Sequence, residues 1–221
     1  NSGTLSLVGG SVAQALSIPT INYGAAAQIA LNAGTAGTQL TASTALARLG
    51  AFNSVNYGTL TINPSLLANL GSTEKVIVTT GAPANSALTG GDILTVPSIF
   101  VALSGSGQDA NFARYDAVNG IREQNVTEVT TLATTAATNV ANVSAADTVG
   151  TTASEVVDIA AVRMAANISS FDGSQLLRIN RGGLIFNGAT ASNLSVNTLF
   201  GTGTGSNLTE AIVYARDGQT G

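Results

Sequence analysis

VVDIAAVRMAANISSFDGSQLLRINRGGLIF, residues 156–186, alternates short apolar runs with clusters of turn-forming residues. The runs are Val156–Met164, Leu176–Ile179 and Leu184–Phe186, and Asn, Ser, Asp and Gly lie between them. Short apolar runs bounded in this way are typical of β-strands joined by turns. Helical periodicity is mostly absent, so this stretch predicts strands.

The same pattern recurs along the chain, and many short strands at close spacing are typical of a sandwich, a barrel or a solenoid. Two stretches are ambiguous. Residues 42–51, ASTALARLGA, fit one short helix or a turn, and residues 126–146 fit irregular strands or a long loop. Further strands are expected at Thr4–Val8, Ala15–Ile21, Gln28–Ala33, Thr59–Ile62, Lys75–Thr80, Ile93–Val96, Ile99–Leu103, Leu194–Val196 and Ala211–Tyr214.

Composition favours the solenoid among these architectures. The hydrophobic fraction is 44%, it comes mainly from Ala, Val, Leu and Ile, and there is no Trp. Small and branched side chains suit coils that stack on one another, and the Gly-rich linkers carry no charged run that would mark a domain boundary. We therefore expect an all-β fold, a parallel β-helix (β-solenoid) with loop insertions, over residues 1–221 as one domain or as a segment of a longer solenoid.

The residue types that are missing argue against most enzyme chemistry. The chain has no His, no Cys and a single lysine, Lys75, so it lacks the side chains most used for acid/base, thiol and metal catalysis. We therefore expect that this protein is not an enzyme. The formal net charge of -4 offers no basic stripe for nucleic acid, and no apolar run approaches the roughly 20 residues of a membrane-spanning helix. The chain begins at Asn1 without Met or a signal segment, so we expect a processed product or part of a longer polypeptide.

Three segments carry a family resemblance: TLTINPS at residues 59–65, VPSIFVALSGSGQDANFARYDAVNGIREQ at 96–124, and AAVRMAANISSFDGSQLLRINRGGLIFNGATASNLS at 160–195. They resemble passenger regions of bacterial autotransporter-associated β-strand repeat proteins, long secreted proteins known especially from planctomycetes and verrucomicrobia. The resemblance implies a right-handed parallel β-helix, export to the cell surface or beyond, and membership in a much longer polypeptide. It implies no catalytic residues.

The densest group of ionisable residues surrounds FARYDAVNGIREQ, residues 112–124. Carboxylates beside arginines on a β-helix are residue types suited to a polysaccharide lyase or a glycosidase, in which paired acids act on sugars. This group is therefore a candidate polar surface site. The alternative interpretation is that the charges hold a loop against the solenoid and cap a turn. The residues of the group are Asp109, Arg114, Tyr115, Asp116, Arg122 and Glu123.

Other polar residues suggest weaker candidates. Asp147, Glu155 and Asp158 lie close in sequence, but neither an EF-hand loop nor a calcium-binding β-roll repeat occurs. We expect no cofactor, and a weak calcium site formed by backbone carbonyls stays open. The Asn-x-Ser/Thr triplets have two explanations: their Asn side chains stack between successive coils, or they accept glycans. These triplets begin at Asn125, Asn142, Asn167, Asn193 and Asn207.

The sequence thus predicts an extracellular structural protein, secreted or at the cell surface, that serves as a stalk, fibre or filament subunit with a possible adhesive role. Low charge suits self-association through strand edges or continuation into a longer chain. One alternative is a carbohydrate-active or carbohydrate-binding β-helix module that acts on a surface polysaccharide. Another is a phage or virus fibre.

Overall fold

The computed structural model of this chain is all-β, and its sheets are built mostly from parallel strands. Among the described residues the helical content is one short 3-10 helix, Leu67–Asn69. The structure describes residues 3–24, 26–48, 58–102, 110–133, 135–188, 191–202 and 209–215.

The chain divides into two compact units, each with its own apolar core. The first unit comprises residues 1–86 and 93–124, and the second comprises residues 87–92 and 125–221. A single domain over residues 1–221 stays a prediction, which the cooperativity of unfolding would test.

Between residues 4 and 123, parallel strands alternate between two sheets. One sheet has the order β1-β3-β5-β9-β10-β11 and the other has the order β2-β4-β6, so successive strands along the chain extend the two sheets in turn. Strands β7 and β8 form a separate pair, and β10 and β11 are antiparallel. The strands are β1 (Thr4–Val8), β2 (Gln14–Tyr23), β3 (Ala26–Asn32), β4 (Thr38–Arg48), β5 (Thr59–Asn63), β6 (Glu74–Val78), β7 (Asn85–Leu88), β8 (Gly91–Leu94), β9 (Ile99–Ala102), β10 (Ala110–Asp116) and β11 (Gly120–Glu123).

The core of the first unit consists of apolar rows that run across the sheets. Strand register places like side chains one above another, because alternate residues of each strand face the same side. In one row of the first sheet Leu5 pairs with Ile29, and Ile29 pairs with Ile62. In the second sheet Leu16 pairs with Leu40, and Leu40 pairs with Val76. These rows explain why short apolar runs separated by turns recur in the sequence.

The second unit repeats its strands at a nearly constant interval. Asp147 pairs with Ile168, 21 residues further on, and Val156 pairs with Leu176, 20 residues further on. One sheet has the order β12-β13-β15-β17-β19 with β20 also paired to β17, and the other has the order β14-β16-β18. The strands are β12 (Glu128–Val129), β13 (Val140–Val143), β14 (Asp147–Val149), β15 (Val156–Met164), β16 (Ile168–Ser170), β17 (Leu176–Phe186), β18 (Leu194–Ser195), β19 (Asn197–Phe200) and β20 (Ile212–Ala215).

Strand β15 has a register irregularity between Ile159 and Ala161 that divides its pairing with β17 into two parts. Beyond β17, the first part of the ladder continues into β19 and the second part continues into β20. Strands β15 and β17 therefore each take part in two successive stretches of the sheet. The inward rows contain Val157 with Leu177 and Val162 with Leu184, which all belong to one buried cluster.

The predicted strands are confirmed, with shifts of a few residues at their ends, except that Leu176–Ile179 and Leu184–Phe186 are parts of one strand, β17. Leu103, the end of one predicted strand, lies outside the described residues. For residues 42–51 the prediction of a short helix or a turn is wrong, because residues 42–48 form the end of β4. Residues 49–51 lie outside the described part of the chain. Ala and Leu favour a helix locally, but residues 45–48 pair with β2, as Leu46 does with Ile21, and this pairing outweighs that weak preference. The stretch 126–146 contains two strands, Glu128–Val129 and Val140–Val143.

Candidate functional site

The polar group predicted around residues 109–123 lies on the β10–β11 hairpin, and Asp109 is outside the described residues. In the antiparallel register Arg114 faces Arg122, and Glu123 faces Ala113. Asp116 is three positions beyond Ala113, and residues an odd number of positions apart point to opposite faces of a strand. The register therefore separates the carboxylates of Asp116 and Glu123 instead of bringing them into one groove.

Tyr115 fixes the hairpin to a free strand edge. Its hydroxyl donates to the Val78 carbonyl oxygen at 2.6 Å and accepts from the Val78 N–H at 3.0 Å. Val78 ends β6, which is an edge strand of its sheet among the described residues. The Asn85 carboxamide forms two further hydrogen bonds with the Tyr115 backbone, at 2.7 and 2.8 Å. The hairpin thus satisfies backbone groups that an edge strand would leave unpaired.

Asp116 caps the turn that joins β10 to β11. Its carboxylate accepts from the N–H of Val118 at 2.9 Å and of Asn119 at 2.7 Å. These backbone hydrogen bonds, that of Asn119 first, lower the pKa of Asp116, and Arg114 and Arg122 add a smaller effect in the same direction. The carboxylate is therefore ionised at neutral pH, which suits a turn cap and does not suit a general acid.

The remaining members of the group also contact the hairpin and its surroundings. Glu123 accepts a hydrogen bond from the Asn111 carboxamide, and the Arg114 Nε donates to the Glu123 carbonyl oxygen at 3.2 Å. The Arg122 side chain lies over Gly71, where a Cβ atom would touch it. The structure therefore gives each described member of the group a contact that holds the hairpin in place.

The three acidic residues considered for calcium each have other partners. Asp147 accepts from the Leu132 N–H at 2.6 Å, and Asp158 forms an ion pair with Arg178 that includes a 2.8 Å contact to Nε. Glu155 accepts from the N–H groups of Thr151 and Thr152, which lower its pKa. Within the described ranges, no group of three or more Asp or Glu residues is arranged to hold a metal ion.

The opposite end of the first unit is uncovered. Among the described residues, no strand pairs with the outer edge of β1 or of β2. The core rows continue to this edge and stop there: Leu5 and Leu7 are half-buried, although Ile29 and Leu31, their partners in β3, are 1% and 3% exposed. In β2, Leu16 is 36% exposed beside fully buried Leu40. The apolar core thus reaches the surface at this end.

A recess deepens the uncovered end. It has a volume of about 340 Å³, lies between the start of β1 and the end of β2, and reaches Ile29 and Leu60 of the core. The whole stretch from Asn1 to Ala47 contains no charged residue, and the first charge in the chain is Arg48. Natural sheet edges are commonly protected by charges, and β1 carries none. This charge-free stretch is visible in the sequence, but a site prediction based on charged residues does not include it.

The second unit also ends in a partly exposed core row. Val213 on β20 is 46% exposed, whereas Leu184, its register partner on β17, is 3% exposed. In the neighbouring part of the sheet, half-buried Phe200 pairs with fully buried Ile179. As in the first unit, apolar side chains that continue a core row meet the surface on the outermost strand.

These features define an all-β chain of stacked, mostly parallel sheets in which one edge of the first unit is covered by a hairpin and another edge is open. In the described part of the chain, no helix combines the length and the apolar character required to cross a bilayer. No family model, curated protein or solved structure matches this chain.

Proposed function

We propose that this chain is a structural segment of a secreted or cell-surface protein, built as a right-handed parallel β-helix and extended end to end as a stalk, fibre or filament subunit. The observation that carries the proposal is the open end of the first unit, where core rows stop at half-exposed Leu5, Leu7 and Ile18. A solenoid end without a polar cap gains apolar burial when another coil stacks on it.

The regular register supports the β-helix. Parallel pairing at intervals of 20 to 22 residues joins β15 to β17 in both parts of the ladder, as between Val156 and Leu176 and between Ala161 and Gly183. A chain that returns to the same sheet after each such interval adds one strand to a stack per turn. Small and β-branched residues fill such a stack with close side-chain contacts.

Composition and resemblance support the extracellular setting. Low charge and abundant Thr, Asn and Ser suit long surface proteins, and three segments resemble passenger regions of autotransporter-associated repeat proteins. The adhesive role belongs to the same proposal, since an extended stalk can present its surface away from the cell. The hairpin cluster gives no support to a sugar-cleaving site, because the register directs Asp116 and Glu123 to opposite faces.

Electron microscopy of the protein over a range of concentrations tests this proposal. We expect rods that lengthen with concentration and show a regular subunit repeat, and oriented rods should diffract at about 4.8 Å along their axis, the spacing of stacked strands. Leu7→Lys should shorten the rods, because it places a charge in the exposed core row. Val118→Lys is the matched control, since Val118 is 73% exposed on the hairpin turn. Uniform isolated particles at every concentration would contradict the proposal.

A further inference from the structure

We propose that the open edge of the first unit binds a second copy of this chain in a two-fold arrangement, with β1 of one copy antiparallel to β1 of the other about Ser6. This inference rests on the proposed end-to-end stacking and specifies how the first units of two copies meet. Because a two-fold contact closes on itself, growth into rods then requires a second contact, at the partly exposed core row of the second unit. Three observations carry it: the direction of the free backbone groups, the near-symmetric sequence of β1, and the absence of charge.

The free backbone groups of β1 belong to its even-numbered residues. Gly9 N–H donates to Asn32 O at 2.7 Å, and Gly3 C=O accepts from Gln28 N–H at 2.9 Å, so the odd-numbered positions are directed toward β3. Alternate residues of a strand direct their N–H and C=O groups to opposite edges. The remaining positions, which are Thr4, Ser6 and Val8, therefore present three N–H and three C=O groups to the open edge.

The free backbone groups of Thr4, Ser6 and Val8 can pair with the same groups of a second copy related by a two-fold axis. In an antiparallel pair, residues that exchange both backbone hydrogen bonds lie directly opposite each other. A two-fold axis at Ser6 places Ser6 opposite Ser6 of the second copy and Thr4 opposite Val8. All six groups are then paired, and the side chains that meet are two serines and two pairs of similarly shaped β-branched residues.

The same two-fold axis also brings the core leucines of the two copies together. The sequence of β1, TLSLV, reads almost identically in both directions, so Leu5 of one copy faces Leu7 of the other. Both leucines already pack against the core cluster from the half-buried end of its rows. Two copies related in this way join their cores into one, whereas an unrelated strand would have to supply apolar residues at the same spacing.

Strand β2 carries a similar pattern. Its segment Leu16-Ser17-Ile18 has apolar residues on both sides of a central serine. Gln14 N–H donates to Gly37 O at 3.0 Å, so the even-numbered residues are directed toward β4 and Ser17 is directed to the open edge. Pro19 has no N–H to offer at that edge, as is usual for proline in edge strands. The second strand can thus also pair about Ser17, except that Pro19 lies opposite Ala15 there and supplies no N–H to it.

Charge favours a second copy over a charged partner. Residues 1–47 contain no acidic or basic side chain, so two of these ends meet without repulsion and without unpaired buried charges. A closed two-fold contact is also the commonest form of self-association, because one patch serves as both surfaces.

Charge-pair variants at residue 6 test the inference. The Ser6 side chain is exposed, so Ser6→Lys and Ser6→Glu should fold like the wild type, which circular dichroism would verify. Either variant alone should associate more weakly than the wild type, because like charges would lie about 5.5 Å apart at the Cα atoms. A mixture of the two should form a heterodimer about tenfold more tightly than either homodimer, measured by sedimentation velocity.

Val8→Lys and Val8→Glu form the matched control. Val8 faces Thr4 of the other copy, so the two charges at position 8 would lie roughly 14 Å apart, beyond the Debye length at 0.15 M salt. Mixing these variants should give no preference for the heterodimer. Equal behaviour of the position 6 and position 8 pairs would overturn the two-fold arrangement.

The outcomes separate this inference from the proposed function. Rods that assemble without a heterodimer preference at position 6 would leave end-to-end stacking intact and overturn the antiparallel β1 contact. A wild-type protein that remains monomeric at every concentration would overturn both. A dimer that shows the position 6 preference but does not lengthen into rods would support this inference and contradict the proposed rods. Rods that show the preference would support both.

Discussion

Glu74 is a carboxylate with no exposed surface, and it joins separate backbone segments of the first unit. It accepts from the Ala33 N–H at 2.7 Å and from the Ser65 N–H at 2.9 Å, and the Ser65 hydroxyl donates to it as well. A buried polar group is tolerated when its hydrogen bonds are complete, and here one side chain completes those of two loops. Glu74 therefore fixes the corners that precede β4 and β6.

Replacing Glu74 tests that role. Glu74→Ala leaves two backbone N–H groups without acceptors, and we expect the free energy of unfolding to fall by about 2–4 kcal/mol. Glu74→Gln keeps one carbonyl acceptor and should cost less. Lys75→Ala, at the next position, should change stability by less than about 0.5 kcal/mol. Urea unfolding measures all three, and equal losses for Ala and Gln at position 74 would show that the hydrogen bonds are unimportant.

Three carboxylates with a lowered pKa should make stability depend on acid pH. Hydrogen bonds lower the pKa of Asp116 and Glu155 through backbone N–H groups, and that of Asp172 mainly through the Ser174 hydroxyl. A group whose pKa is lower in the folded state stabilises the fold above its unfolded pKa, about 3.9 for Asp and 4.3 for Glu. This contribution is lost as the pH falls through the folded pKa.

We therefore expect the urea midpoint to be level above about pH 5 and to decrease below about pH 4. The variant with Asp116→Asn, Glu155→Gln and Asp172→Asn should be less stable at neutral pH and should show a shallower decrease in acid. An unchanged acid slope in this variant would mean that other carboxylates control acid unfolding.

Among the strands and turns, the β10–β11 hairpin acts as a cover for the edge of β6. The Tyr115 hydroxyl bonds to both backbone groups of Val78, and Gly120 has a φ of 76° and lies so close to the Val76 carbonyl oxygen that a Cβ would collide with it. Covering an edge in this way removes a site for unwanted strand addition. The charged residues that the sequence places in this segment have a structural role here, because their side chains hold the covering hairpin in place.

Tyr115→Phe tests the cover. It removes the hydroxyl while keeping the ring, which leaves the Val78 N–H and C=O without their partner, so we expect a loss of about 1–3 kcal/mol in unfolding free energy. The Val78 amide should also exchange its hydrogen faster, because its hydrogen bond is gone. Val118→Thr at the exposed turn should leave both measurements unchanged. An unaltered exchange rate at Val78 would show that the hairpin does not protect the edge.

The strands were predictable from sequence where apolar residues alternate between turn formers, as in Val156–Met164, whose bounds match β15. Local preference was insufficient for residues 42–48, because pairing with the neighbouring strand β2 decided their conformation. The hairpin was not predicted as strands, because its FARYD segment reads as a charged loop and its pairing depends on contacts with Val78 and Asn85. Sequence located the charged group, but the register that separates its carboxylates is a tertiary property.

Over the whole chain, charge is distributed unevenly. Arg48 is the one charged side chain before Glu74, and all the others of the eight basic and twelve acidic residues follow from there. The uncharged part contains the open edge of β1 and β2, where core residues reach the surface. An end that stays uncharged and uncovered is suited to apolar and backbone contacts, and these respond to solution conditions differently from ion pairs.

Self-association of the wild-type protein should accordingly be almost independent of salt. Because residues 1–47 supply no charge to the contact, we expect the dissociation constant to change by less than about threefold between 50 and 500 mM sodium chloride, whereas sulfate should strengthen association by favouring apolar burial. Sedimentation at several protein concentrations measures this. The mixed Ser6→Lys and Ser6→Glu pair provides the contrast, since its added ion pair should weaken as salt rises. A tenfold or greater weakening of the wild type by salt would instead place the contact among charged groups such as Arg114 and Arg122, and the open edge would then not be the interface.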